Sequence, residues 1–110
     1  MDSNDSFRLL SNSEKTIDYI NKQLINYPKN EVILKQNIEK TMYLIIENIF
    51  SYRIEDTNRI KLKYLKALVI QISMLDYYMR VSYKKKIISH KKYESVSNFL
   101  IEIRKISYGV

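Results

Sequence analysis

The chain has 110 residues, 45% of them hydrophobic, with a single Gly, a single Pro and no Cys. That length suits one compact domain with its own core, and so little turn chemistry excludes a sandwich or barrel of many short strands. The lack of cysteine excludes disulfides, thiolate nucleophiles and Cys-ligated zinc, while a formal net charge of +7 calls for an anionic partner: nucleic acid, an acidic protein or an anionic membrane surface.

Residues 1–10 are polar apart from Phe7, Leu9 and Leu10, and are expected to form a flexible lead-in to a bundle domain over 11–110. No basic segment followed by an apolar one marks a secretory signal, and no apolar run approaches the length of a membrane span. With cysteine absent, a cytoplasmic location is expected. Ser11 followed by Glu14 matches a capping box, and Ile17, Ile20, Leu24 and Tyr27 then recur at helical spacing, so the first helix should end near Asn26. Pro28 suits the first turn of a second helix, which makes 25–31 a tight connection between two helices.

The second helix is predicted over 29–52, with Leu34, Ile38, Met42, Ile45, Ile49 and Tyr52 on one face. Ile46, Phe50 and Ile54 lie off that face and need cover from a neighbouring helix or subunit. Asp56 or Thr57 can cap a third helix. This long helix, about 40 Å at 1.5 Å per residue, runs from Arg59 to Lys86 and is apolar on two sides. Leu65, Leu68, Ile72, Leu75 and Met79 form one stripe, and Ile70, Met74, Tyr77 and Val81 lie roughly opposite. A bundle helix normally buries one stripe only, so the second predicts a partner surface and self-association. Lys66, Ser73, Arg80 and Lys84 run between the two stripes and edge that surface with positive charge.

Ser89 is the expected N-cap of a fourth helix, with Tyr93, Val96, Leu100, Ile103 and Ser107 along its inner edge, Phe99 and Ile106 beside it, and Gly109 as its stop. Four helices with short connections predict an all-α, up-down-up-down four-helix bundle.

An enzymatic site is not expected. His90 is the only histidine, no Gly-rich phosphate loop is present, and no His/carboxylate spacing suits a metal or another cofactor. Glu47, within an apolar run, fits an exposed edge or an ion pair better than a general base. The cations make the stronger case. Lys84, Lys85, Lys86, Lys91 and Lys92 flank one turn, and Arg80 lies four residues before Lys84, a grouping suited to phosphate contacts that are independent of base sequence and sensitive to salt. Tyr77, Tyr78, Tyr83 and Tyr93 interleave with these charges and are candidates for stacking on unpaired bases, although burial is the commoner role of tyrosine.

Two patches resemble a known family. YPKNEVILKQNI is similar to the first interhelical connection of small bacterial four-helix-bundle proteins. LDYYMRVSYKKKIISHKKYESVSNFLIEIRKISYG resembles the C-terminal half of the accessory variability determinant (Avd) proteins of diversity-generating retroelements. Leu75, Arg80, Ile88, Ser89, Tyr93, Glu94, Ile103 and Gly109 are the matching positions. The likeness spans most of 27–109 and extends to proteins encoded within 23S rRNA intervening sequences. Val110 departs from the pattern, standing where an aromatic usually follows the Gly.

The resemblance implies a homopentameric barrel of four-helix protomers, positively charged, acting with a reverse transcriptase and its template RNA. On that expectation Lys66, Arg80, Lys84, Lys85, Lys86, Lys91, Lys92 and Arg104 contact phosphates. Ile70, Met74, Tyr77 and Val81 hold other protomers or the polymerase. A protein-interaction module of a mobile element, with an acidic protein in place of RNA, is the alternative.

Overall fold

A computed structural model describes residues 3–108. Four α-helices, α1 (Ser3–Leu24), α2 (Val32–Ile54), α3 (Asn58–Lys84) and α4 (His90–Tyr108), follow one another with a single 3-10 turn at Lys29–Glu31 and, among the described residues, no strand. Each helix packs on two neighbours in the cyclic order α1, α2, α3, α4, and the backbones of diagonal helices stay apart. The short connections require this arrangement. The molecule is 43 Å long, close to the length of α3 itself.

The predicted inner faces are the buried ones. Ile38, Met42, Ile45, Ile49 and Tyr52 of α2 meet Leu65, Leu68, Ile72, Leu75 and Met79 of α3, and Val96, Leu100 and Ile103 of α4 complete the core. Leu34 and Tyr93 are only half-buried at its edge.

The N-terminal expectation is corrected. Residues 3–10 belong to α1 instead of a flexible lead-in, and Leu9 is fully buried. Ser11 therefore lies inside the helix and cannot cap it. The inward face of α1 is built from Ser6, Leu9, Ser13, Thr16 and Ile20, at spacings of three and four. Three of these five are small polar residues, so a hydrophobic pattern misses them. The Thr16 hydroxyl resolves its own burial by donating to the Asn12 carbonyl at 2.8 Å. Residues 1, 2, 109 and 110, including the expected stop at Gly109, lie outside the described residues.

At the α2–α3 turn Thr57 occupies the N-cap position but makes no side-chain cap. The Glu55 carboxylate accepts the Asp56 and Thr57 N–H groups instead, at 3.1 and 3.0 Å. Lys61 closes this turn by donating to the Tyr52 carbonyl at 2.6 Å, with its ammonium 4.4 Å from the Tyr52 ring centre.

The opposite end is held by a buried chain of hydroxyls. Tyr27 donates to Ser82 Oγ at 2.7 Å, and Ser82 donates to the Tyr78 carbonyl at 2.9 Å, which ties the α1–α2 connection to the last turns of α3. Burial lifts the Tyr27 hydroxyl above its ordinary pKa of 10.0, Ser82 opposes this, and Glu31 adds to it. Below about pH 10 the stabilisation is complete. It is lost as pH rises through the raised folded value, because the unfolded chain ionises first. Ser82→Ala strands a buried hydroxyl and is expected to cost about 1–3 kcal/mol, whereas Tyr27→Phe leaves Ser82 its carbonyl partner and should cost about 0.5–1.5 kcal/mol. Urea unfolding of the two variants at neutral pH checks the order.

Candidate nucleic-acid interface

The turn between α3 and α4 is a Schellman closure. The Ile87 N–H bonds the Ser82 carbonyl and the Lys86 N–H bonds the Tyr83 carbonyl, both at 2.9 Å. This geometry needs a left-handed residue, and Lys86, with φ 63°, supplies it where glycine is usual. A lysine in that conformation costs about 1 kcal/mol. Ile88 is buried just beyond and Ile87 packs against the core beside it, so the turn is anchored at its apolar side while its lysines face water. Ser89 then caps α4 as predicted, its Oγ accepting the Lys92 N–H at 3.2 Å.

Lys84, Lys85, Lys86, Lys91 and Lys92 are all exposed on this short segment. Lys85 is matched, its ammonium 3.1 Å from Glu31 Oε1. The other four make no ion pair among the described residues. Lys29, two residues from Glu31 and also exposed, brings a further cation to this end; it escapes a sequence reading because only the fold brings the α1–α2 connection beside α3.

Arg80 is less available than its spacing suggested. Its guanidinium bonds Asp76 Oδ2 at 2.7 Å, and the same carboxylate accepts the Tyr93 hydroxyl at 3.1 Å. The Asp76–Arg80 pair stands at i,i+4 in the sequence and was legible there. The ring of Tyr83 stacks on Tyr93 at 5.8 Å and meets the edge of His90 at 5.4 Å. Tyr78 lies against the core, and Tyr77 leans on it, half-exposed. His90 is exposed at the first position of α4, 3.7 Å from Glu94.

Lys66 and Arg104 do not join the turn. Lys66 precedes Lys84 by about 27 Å of helix, and Arg104 donates to Ser73 Oγ at 3.0 Å in the middle of the α3–α4 seam. Together with Arg80 and Lys84 they trace a broken line along α3 instead of a single cluster.

Beside that line Ile70 and Tyr77 are 58% and 53% exposed, with Met74 and Val81 half-buried. No helix of the protomer covers this stripe. On α2, Phe50 and Ile54 are exposed too, Ile46 is half-buried, and Glu47 is an exposed edge residue. No group of three or more His, Asp or Glu side chains suited to a metal ion is found among the described residues, and no helix is long and apolar enough to cross a membrane. No family model matches the chain, and no curated protein or solved structure is significantly similar to it.

Proposed function

We propose that this chain is a non-catalytic accessory protein of a diversity-generating retroelement. It oligomerises, as a homopentamer by its resemblance to Avd proteins, and binds template RNA and reverse transcriptase through its basic surface in the cytoplasm, supporting mutagenic copying. The retroelement part of the reading rests on the sequence patches named above. The RNA part is carried by one observation: four exposed lysines at the α3–α4 turn, unpaired among the described residues, one of them in a left-handed position that glycine would occupy at lower cost. Strain accepted in order to keep a charge is a pointer to function. Lys84, Lys86, Lys91 and Lys92 act as phosphate contacts, with Lys85 and Arg80 held partly in reserve by their carboxylates.

Titration of the protein with single-stranded RNA at about 50 and about 200 mM salt tests this, since phosphate contacts release counterions and lose affinity steeply with salt. An affinity that is absent at both salts overturns it. A second reading is favoured by the Tyr83–Tyr93 stack, which spends on each other the ring faces that bases would use. In that reading the lysines meet an acidic protein, and the titration gives no binding.

A further inference from the structure

Two stripes of exposed or half-exposed apolar side chains run along neighbouring helices, and they match in length and differ in charge. On α2 the stripe is Tyr43, Ile46, Phe50 and Ile54; on α3 it is Ile70, Met74, Tyr77 and Val81. Both cover eleven residue steps, about 16 Å of helix.

Their borders differ in sign overall, with Lys40 beside Glu39 at Tyr43 as the one cation lining a groove of the α2 stripe among the described residues. The groove between α1 and α2 is lined by Glu14, Asp18 and Glu39, and the groove at the end of α2 by Glu47, Glu55 and Asp56, with no Lys or Arg in either. Among the described residues, five of these six carboxylates bond no side chain or backbone group, and Glu55 accepts only backbone N–H groups. The groove of about 530 Å³ between α3 and α4, which contains Ile70, has Lys66 in its wall and no Asp or Glu among the described residues. Arg80 and Lys84 continue that basic edge. The acidic grooves lie at α1–α2 and at the α2–α3 turn, where Tyr64 joins the wall, and the basic groove lies between α3 and α4; all of them open outward, so one protomer cannot close these surfaces on each other.

We propose that the occupant of each is a second copy: the α3 stripe of one protomer seats on the α2 stripe of the next, with its lysines against the acidic borders. This rests on the oligomeric part of the function above and specifies its contact. Such pairing is head-to-tail, so it builds rings or open chains and excludes a two-fold dimer. A standard interface takes about 800 Å² from each partner, and a protomer engaged at both faces hides about a quarter of its 6982 Å² surface. The charge match sets register and direction, and Lys86, Lys91 and Lys92, beyond the end of α3, stay outside the contact.

Two variants test the contact. Glu47→Lys/Phe50→Lys destroys the acidic face alone, and Ile70→Glu/Tyr77→Glu destroys the α3 face alone; all four side chains are exposed, and thermal melts establish that each variant is folded. By light scattering at micromolar concentration the wild type is expected as a particle of at least three protomers. Each variant alone is expected at 13.3 kDa, and their mixture as a one-to-one heterodimer, since each supplies the face that the other lacks. A wild-type monomer or dimer, a single variant that still assembles, or a mixture that stays monomeric overturns the proposal. RNA titration of the same samples separates the two readings. A monomeric wild type with steep salt-dependent affinity removes the docking and leaves RNA binding standing, and an assembled wild type without affinity does the reverse.

Discussion

Changing Lys84, Lys86, Lys91 and Lys92 together to Gln is expected to remove most of the RNA affinity and nearly all of its salt dependence. Four phosphate contacts to a single strand give a slope of about −2.8 in log affinity against log salt, so wild-type affinity should fall about 50-fold between about 50 and about 200 mM salt. The quadruple variant has no such charges to release and should bind weakly and almost equally at both. Lys85→Gln and Arg80→Gln serve as internal comparisons. Their charges already face Glu31 and Asp76, so a phosphate must displace a carboxylate to reach them, and each alone should change the slope less than Lys84→Gln does. A quadruple variant that keeps the wild-type slope shows that the turn is not the binding surface. Fluorescence anisotropy with a labelled oligonucleotide is sufficient, and because all four side chains are exposed, the fold is not at stake.

The second large effect is in the core. Leu75 lies near the middle of the inner stripe of α3, fully buried, and Leu75→Ala removes its methyl groups from a packed site that collapses only in part. The expected cost is about 2–5 kcal/mol, a large share of the roughly 5–15 kcal/mol that holds a domain of this kind. Thermal unfolding should move down by about 10 °C or more. Ile33→Ala makes a comparable cut at a side chain 71% exposed and should stay within about 0.5 kcal/mol. Equal losses at the two positions would mean that the two sides of the bundle are wrongly assigned.

Much of this architecture was written locally. α2, α3 and α4 declare themselves by apolar residues at spacings of three and four, and side chains so spaced share a helix face whatever they pack against. The cap at Ser89 and the turn at Pro28 are local in the same sense. The start of α1 was not legible, because its inward face carries Ser6, Ser13 and Thr16, whose pattern of polarity resembles a loop. The lysine turn was legible as a run of charge. Which of its cations are free was not: Lys85 is matched by Glu31, 54 residues away, and no spacing rule reaches that far.

The sequence by itself determined the helical class, the inner faces of α2, α3 and α4, the doubled apolar character of α3 and the gathering of lysines after it, since each depends only on neighbours within a turn or two of helix. The tertiary structure alone decided that the second α3 stripe goes uncovered within the protomer, that Tyr27 is moored to Ser82, and that acidic and basic grooves stand apart on the surface of the bundle. Those facts depend on which helices meet, and that is selected by the burial of the whole core, a quantity that no single segment contains.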